Sequence, residues 1–344
     1  MHTKARWIRA ALLGSFGLVS LALGYSQELY VRVVDVGAGE CVVVKAPGNG
    51  SKDHYMIYDA GNYEDKGKTA IEAIREIIPE GSTIDLLVLS HSDSDHLAAV
   101  PEIMDEYKVK RVIHPGYERP TATWKESNQA ILDEARLDGC RDLNLANVEI
   151  APGSSYRIGK ATAVFVAGFH KPPEEWGQLS DSEEKNAGSV IIRLIYKGKS
   201  ILLCGDAVGR HIDDAEDACI AMEQYVADNT EAVKIDSDVM VAPHHGADNG
   251  SSKRFIEEVS PEYVIFPAGH KFDHPRKAAA DRYLAAGVSL QKMFRTDRED
   301  DESKGGDWEW AAGRKTGEHD KPGDDDVVVT VSAAGVITVK YLNP

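Results

Sequence analysis

Two histidines and two aspartates stand within six residues, directly after a strongly apolar stretch. His91, Asp93, Asp95 and His96 lie in SHSDSDHL, which follows IDLLVLS (84–90). An unbroken apolar run of this length indicates a buried strand. Two carboxylates and two imidazoles so close together are costly to bury without a cation. The sequence therefore predicts a divalent metal site at a strand end; the competing interpretation is a solvated loop in which Asp95 caps a helix.

Two later strand-like runs also end in residues that bind metals. ILLCGDA (201–207) delivers Asp206, and VMVAPHHG (239–246) delivers His244 and His245. One carboxylate at such a position can bridge two metals, although a strand-ending Gly-Asp is by itself more often a turn. Adjacent side chains on an extended chain point in different directions. One of the two histidines would therefore bind metal while the other contacts substrate, and the sequence leaves open which does so.

A third run, AGHKFDHP (268–275), carries His270 and His274. On its own it is a structural segment. Because several strands end in metal-binding or acid–base residues, we expect them to share one rim of the fold. His274 is then a candidate for contacting substrate, and His270 is a weaker candidate for the same role.

The order of elements predicts an α+β fold. The sequence begins with hairpins at 29–48 and then alternates strand and helix, as expected for two mixed β-sheets packed face to face with helices outside. The segment 297–326 is acidic and Gly-rich and is predicted to be a mobile surface loop. A closing hairpin follows at 326–342. No internal repeat is present, so residues 27–344 are interpreted as one domain.

The first 26 residues resemble an export signal. Lys4, Arg6 and Arg9 precede an apolar stretch at 10–24 that is free of charge. This stretch is shorter than the roughly 20 residues that a membrane span needs, and small residues follow it. It is either a cleaved signal peptide or an uncleaved N-terminal anchor. Both interpretations predict a secreted or periplasmic body, with membrane contact only if the segment is retained.

The charge balance limits the partners. There are 39 Lys and Arg against 56 Asp and Glu, a formal net charge of −17. Such a surface repels polyanions, which argues against an extensive basic face for nucleic acid. A phosphodiester substrate remains compatible where bound cations dominate the local field.

Four cysteines are present, none in a Cys-x-x-Cys arrangement, so a zinc ribbon is not indicated. Cys41 and Cys204 lie in strand-like runs and are expected to be buried. Cys140 and Cys219 are the candidates for a disulfide in an oxidising compartment. The sequence does not decide the pairing.

The order of the motifs resembles the metallo-β-lactamase superfamily. More narrowly it resembles the soluble domain of ComEC-type DNA-uptake proteins and, more loosely, secreted phosphorylcholine esterases. The resemblance implies an αββα four-layer sandwich and covers nearly all of the chain after the leader. It rests on DVGAGEC (35–41), YDAG (58–61), SHSDSDH (90–96), NAGSV (186–190), LLCGD (202–206), APHHG (242–246), GHKFDHP (269–275) and FRTD (294–297).

The resemblance also implies roles for single residues. It assigns His91 and Asp93 to a first metal. Asp95 and His96 serve a second metal together with His245, or with His244 in its place. Asp206 bridges the two, and Asp59 orients the loop without binding metal. The residues expected to contact substrate, called substrate-side residues below, are Asn186, Ser189, His244 and His274. The residues expected to take part in catalysis are Asp95, Asp206, His244 and His274.

Two departures from the superfamily pattern bear on the metal. Aspartate stands at position 93 where histidine is more widespread, and no His-Thr pair occurs near Lys185 and Asn186. A first-site imidazole is therefore missing, and the site is richer in carboxylate. That favours manganese as well as zinc: two divalent ions, zinc or manganese, are expected, and it is left open that only one binds tightly.

The chemistry expected is metal-assisted hydrolysis by a metal-bound hydroxide. The favoured function is an exported phosphodiesterase or nuclease, acting on a short nucleic acid, a cell-wall phosphodiester or a small molecule. One alternative is a hydrolase of carboxylic esters, lactones or β-lactams on the same fold. Another is a non-catalytic binding module with a vestigial metal site, which the missing imidazole would favour.

Overall fold

The computed structural model describes residues 27–50, 52–62, 64–269, 272, 274–298 and 325–343. The predicted export segment at 1–26, His270 and most of the acidic segment 297–326 lie outside the described residues. Within the described part, no helix is both long enough and apolar enough to span a membrane.

The first sheet has nine strands and is mixed. Its order is β16-β15-β1-β2-β3-β4-β6-β7, with β5 also pairing with β4. The strands from β16 to β3 run antiparallel, whereas β3, β4, β6 and β7 run parallel. The bounds are β1 Leu29–Val33, β2 Val42–Pro47, β3 Asp53–Tyr58, β4 Thr83–Val88, β5 Lys108–Val109, β6 Arg111–His114, β7 Arg141–Asn144, β15 Val327–Val331 and β16 Ile337–Tyr341.

The second sheet has seven strands in the order β14-β13-β12-β11-β10-β9-β8. The strands β8 to β11 pair antiparallel, and β11 to β14 pair parallel. Its strands are β8 Ser155–Ile158, β9 Ala161–Ala167, β10 Ile191–Tyr196, β11 Lys199–Leu203, β12 Val239–Val241, β13 Tyr263–Phe266 and β14 Met293–Arg295.

Helices cover the outer faces of both sheets. One apolar cluster consists almost entirely of strand residues of the two sheets and lies between them. A second joins the first sheet to α1, α2 and α3, and a third joins the second sheet to α5, α6 and α7. These layers confirm the predicted four-layer sandwich of two mixed sheets. The helices are α1 Lys68–Ile77, α2 Val100–Glu106, α3 Ala122–Leu137, α4 Asp181–Ala187, α5 Ala221–Asp228, α6 Lys253–Val259 and α7 Lys277–Ala285.

The acidic segment differs from the prediction at both ends. Asp297, Asp325 and Asp326 are all at most 2% exposed. Asp297 pairs with the buried Arg295, and Asp326 pairs with Arg32 of β1. The sequence assigned these aspartates to a surface loop because charged composition usually indicates exposure. Paired arginines instead allow the carboxylates to be buried.

All four cysteines are free thiols, so the Cys140–Cys219 candidate pairing is not formed. Cys140 packs in the apolar cluster beneath α1 to α3. Cys219 instead accepts a hydrogen bond from the hydroxyl of Ser252, beside α6. Cys41 and Cys204 are buried as expected.

Candidate metal centre

The segment after β4 forms the floor of a buried polar cluster. It leaves the strand at Leu89 and turns through a short 3-10 helix at Ser94–His96. His91 and His96 are at most 2% exposed, whereas Asp93 and Asp95 are partly exposed. The apolar strand thus carries the two imidazoles inward, and the turn keeps the two carboxylates nearer to solvent.

Asp206 lies between two pairs of histidines. Its Oδ1 atom is 3.3 Å from Nε2 of His96 and 3.3 Å from Nε2 of His245. Its Oδ2 atom is 3.6 Å from Nε2 of His91 and 3.6 Å from Nε2 of His244. One carboxylate therefore faces four imidazoles, two on each oxygen.

Each of these histidines directs its other ring nitrogen, Nδ1, at an oxygen. The Nδ1 atom lies 3.0 Å from Ser90 Oγ in His91 and 2.7 Å from Asp59 Oδ2 in His96. It lies 2.6 Å from Asn249 Oδ1 in His244 and 2.6 Å from the carbonyl of Pro267 in His245. Acceptors at Nδ1 place the proton there and leave Nε2 as a lone pair, which is the form that binds a metal.

Local backbone geometry explains how the strands deliver these groups. Gly205 has φ of 50°, and a Cβ at this position would lie 2.3 Å from the Cβ of Ser90. His244, His245 and Gly246 have φ values of 50°, 55° and 79°. Left-handed backbone is uncommon for non-glycine residues and marks sites where the surrounding structure holds the chain.

Asp59 supports the floor of the cluster from β3. Its two oxygens accept hydrogen bonds from the backbone N–H and the hydroxyl of Ser90, besides facing His96. The side chain is fully buried. It thereby ties the entry to the His91–His96 segment to the neighbouring parallel strand.

The electrostatics of the cluster follow from its burial. Burial alone would raise the pKa of Asp206, but the surrounding histidines, His245 first, hold that pKa well below its ordinary value. Burial would likewise lower the pKa of His96, yet Asp206 and Asp59 raise it well above the usual range. The pKa of His91 is lowered by burial and by the neighbouring His96.

The two partly exposed aspartates lie near different histidines of the cluster. Asp95 Oδ2 is 3.9 Å from His96 Nε2 and 4.0 Å from His245 Nε2. Asp93 Oδ2 is 4.0 Å from His91 Nε2. The other oxygen of Asp93 is 2.9 Å from Nε of Arg119.

The structure places the expected substrate-side residues at different depths. Ser189 is fully buried, and its hydroxyl accepts a hydrogen bond from the backbone N–H of Asp206, so it lies beneath the cluster rather than at the rim. The Asn186 amide, 3% exposed, lies 3.2 Å from His244 Nε2 and 3.4 Å from Asp206 Oδ2. His274 is partly exposed, with its ring centroid 5.7 Å from that of His244.

Three residues in or beside the cluster were not singled out from the sequence. Asn249 orients His244, and Arg119 pairs with Asp93. Glu40 is fully buried, and neither carboxylate oxygen has a hydrogen-bond partner among the described residues. Burial, then the charge of Asp59, raises the pKa of Glu40 well above its usual range. The only sequence signal was the motif DVGAGEC, which contains Glu40.

These side chains fit a divalent cation. Nε2 of His96 lies 3.3 Å from Nε2 of His245, so both nitrogens are placed to bind one cation once His96 gives up its proton. Nε2 of His91 and Oδ1 of Asp206 are buried without a hydrogen-bond partner in the described part of the chain. Mixed imidazole and carboxylate donors suit zinc and manganese. Two groups of three residues place their ligand atoms within 4.8 Å of one another. One is His91, His96 and Asp206, and the other is Asp95, His96 and His245.

Comparison with known proteins identifies relatives that share this sequence order. ComE operon protein 3 of Bacillus subtilis (strain 168) is 25% identical over 285 residues, covering 79% of this chain and 32% of that protein. Competence protein ComA of Neisseria gonorrhoeae is 30% identical over 279 residues, covering 79% of this chain and 31% of that protein. The chain thus spans about a third of the length of these two relatives.

The family match covers most of the fold. The metallo-beta-lactamase fold protein YhfI of Bacillus subtilis aligns in its crystal structure with a TM-score of 0.44 and 10% identity, over 77% of this chain and 95% of that one. The sequence profile of the Metallo-beta-lactamase superfamily matches residues 34–270. Because that match spans more than half of the sequence, the chain belongs to the metallo-beta-lactamase superfamily and has its hydrolase-type fold.

Proposed function

We propose that this protein is a metal-dependent phosphodiesterase or nuclease that uses two divalent cations. The observation that carries the proposal is the position of Asp206, whose two oxygens each face two histidine Nε2 atoms. A single carboxylate shared in this way is suited to bridging two cations, an arrangement that serves phosphodiester cleavage.

The first cation would be held by His91, Asp93 and Oδ2 of Asp206. Its missing imidazole would come from His244, whose Nε2 faces the same oxygen. This differs from the sequence-based expectation that His244 contacts substrate. The reason is that Asn249 accepts at Nδ1 and leaves Nε2 as a lone pair directed at Asp206.

Asn186 is the second group available to the first cation. Its Oδ1 atom is buried without a hydrogen-bond partner among the described residues, and its amide nitrogen faces His244 and Asp206. A half-turn of the amide would exchange the two atoms. Asn186 is therefore proposed to offer an oxygen ligand rather than to bind substrate.

The second cation would be held by Asp95, His96, His245 and Oδ1 of Asp206. Asp59 keeps His96 in the required tautomer from below, as the carbonyl of Pro267 does for His245. Zinc and manganese are the proposed metals. Such cations supply a strong nucleophile from water at neutral pH and offset the negative charge of a phosphodiester.

The remaining residues act on the substrate side. Burial, followed by the charge of His244, lowers the pKa of His274 to about 2. The imidazole is then neutral at physiological pH. His274 is proposed to donate a hydrogen bond to the leaving group or to a phosphate oxygen rather than to release a full proton.

Phosphodiesters are favoured over neutral esters because a cation pair best stabilises an anionic reacting group. The likeness to ComE operon protein 3 and competence protein ComA makes nucleic acid the first substrate class to test. The net charge of −17 argues for short or single-stranded substrates over long duplexes. Cell-wall phosphodiesters follow as the next class.

An extracytoplasmic location is part of the proposal. It is supported by the basic residues and the apolar stretch of the first 26 residues. N-terminal sequencing of the protein recovered from the producing cell distinguishes cleavage near Gln27 from retention as an anchor. A cytoplasmic chain with an intact N-terminus would contradict the proposal.

The activity is tested with bis(p-nitrophenyl) phosphate. Protein beginning at Gln27 is stripped of metal and refilled separately with manganese and with zinc. Asp206→Asn removes the proposed bridge, and Asp133→Asn is the matched control on an exposed residue of α3. p-Nitrophenyl acetate is assayed in parallel to detect a carboxylic-ester hydrolase.

We expect metal-dependent turnover of the diester in the unchanged protein and in Asp133→Asn, and its loss in Asp206→Asn. Turnover of the acetate alone would replace the proposal with carboxylic-ester hydrolysis. Full metal occupancy without turnover of either ester would favour a binding module. A chain that binds no divalent metal contradicts the proposal outright.

A further inference from the structure

Arg119 approaches the cluster from the segment between β6 and α3. Its Nε atom lies 2.9 Å from Oδ1 of Asp93, and its side chain is 19% exposed. Asp93 is one of the proposed ligands of the first cation, and its other oxygen faces His91. The guanidinium therefore lies at the outer edge of the site, on the solvent side of the buried histidines.

Most of the guanidinium is unused. Arginine has five N–H donors, of which Nε carries one. Among the described residues, Asp93 is the only partner recorded for Arg119. The buried Nε forms an ion pair with Asp93 without hydrogen-bond geometry, and the two terminal amino groups form no hydrogen bond with a described residue. If Arg119 served only to neutralise Asp93, its two terminal amino groups would not need to be left unpaired.

Arg119 carries a positive charge in strongly acidic surroundings. Asp93, Asp95 and Asp206 bring three carboxylates together, and the chain as a whole carries −17. In the described part of the molecule, Arg119 is the only lysine or arginine within 4.0 Å of any of these carboxylates. An anionic substrate entering such a field needs positive charge supplied locally.

A cavity lies beside the same segment. Gly116, Tyr117 and Glu118 line a cavity of about 450 Å³ together with His170 and Lys171. Arg119 follows directly in the sequence. The segment thus carries a guanidinium that pairs with Asp93 and, in the three residues before it, part of the lining of a polar cavity.

We propose that Arg119 binds the substrate's phosphate, with its terminal amino groups donating to the non-bridging oxygens while Nε stays on Asp93. Guanidinium is suited to this because its planar fork matches two phosphate oxygens at once, which lysine cannot do. The inference rests on the proposed function, since it names the residue that recognises the anionic group of that substrate.

The test measures binding of inorganic phosphate to the metal-loaded protein by titration calorimetry. The variants are Arg119→Ala, Arg119→Lys and the control Arg136→Ala, which removes an exposed cation from α3. Metal content is determined for each sample. KM and kcat for bis(p-nitrophenyl) phosphate are measured alongside.

We expect Arg119→Ala to weaken phosphate binding by about tenfold or more, and Arg119→Lys to recover only part of the loss. Arg136→Ala should bind like the unchanged protein. KM for the diester should rise in both Arg119 variants at unchanged metal content. A residue that only neutralised Asp93 would not alter phosphate affinity in this way.

Two results would overturn the inference. One is phosphate affinity in Arg119→Ala equal to that of the unchanged protein at equal metal content. The other is a loss of affinity that only follows loss of metal. Arg119-dependent phosphate binding without diester hydrolysis would uphold the anion site and count against the proposed hydrolase instead.

Discussion

The Nδ1 atom of His96 lies 2.7 Å from Oδ2 of Asp59, and both side chains are fully buried. Asp59→Asn should therefore weaken metal binding by about 10- to 100-fold, because the carboxylate no longer strengthens and orients the imidazole. Asparagine suits the position, since φ of Asp59 is 56° and asparagine tolerates left-handed backbone. Competition with a chromophoric chelator measures the affinity. Unchanged affinity would show that Asp59 is not needed to orient His96.

His244→Ala tests the division of the cluster into two sites. The variant should lose the first cation and keep the second, because His245, His96 and Asp95 are untouched. Elemental analysis after dialysis should then give about one metal per chain instead of about two. If both metals remain, His244 contacts substrate, as the sequence alone suggested.

Gly246→Ala should destabilise the fold by about 2–5 kcal/mol, because strain and overpacking add together. Its φ is 79°, and an added Cβ would lie 2.5 Å from Phe266 and 2.6 Å from Pro275, two rings that have no freedom to move aside. Gly81→Ala is the matched control, since φ is 71° and nothing lies within 4 Å. Urea unfolding of both variants separates packing from backbone strain. Equal destabilisation would rule out the packing contribution.

His274 should make the metal-free protein less stable in acid. Burial, followed by the charge of His244, lowers its pKa from the ordinary 6.5 to about 2. Below 6.5 the unfolded chain binds a proton that the folded chain does not, so stability falls as the pH falls through that value. Between about pH 7.5 and about pH 5.5 the loss from this residue is about 1.3 kcal/mol.

His274→Asn should remove that part of the acid sensitivity. Urea unfolding in the presence of a chelator, at both pH values, gives the comparison. The pKa values of His91 and His245 are lowered in the same direction, and both residues remain in the variant. An identical loss of stability in variant and unchanged protein would mean that His274 is protonated in the folded state.

The four thiols should all be titratable in denaturant without a reductant, because none forms a disulfide. In the folded protein at about pH 8 they should react slowly with a disulfide reagent, since the thiolate is the reactive form. Burial, followed by Glu134, raises the pKa of Cys140 to about 12, and burial raises that of Cys219 to about 11. Only two titratable thiols would restore the Cys140–Cys219 pairing.

Local sequence patterns were sufficient to predict the layers of the fold. They were also sufficient to predict that several strands end at one rim. Apolar runs of strand length fix β4, β11 and β12, and parallel neighbours such as β11, β12 and β13 bring their carboxyl ends to one edge. Asp206, His244 and His245 follow these strands directly. Their proximity to His91 and His96 was therefore foreseeable, while their roles as ligands stay predictions.

The remaining features depend on contacts that no local pattern encodes. Asn249 meets His244 through a turn, and Arg119 meets Asp93 across two separate segments. Ser189 was expected at the rim but lies under Asp206, whose backbone N–H donates to its hydroxyl. Asp297 and Asp325 were assigned to solvent because composition does not show which arginines will neutralise them.

The closing hairpin has a consequence for how the chain is made. β15 pairs along the whole of β1, and Asp326 meets Arg32 across 294 positions of sequence. The outer edge of β1 is thus covered only after a strand almost 300 residues further along the chain has been made. Until then β1 presents unpaired backbone donors and acceptors, which is the feature that promotes aggregation of newly made sheets. The first sheet is therefore completed only once β15 has been made, and chains cut before β15 should accumulate as insoluble material.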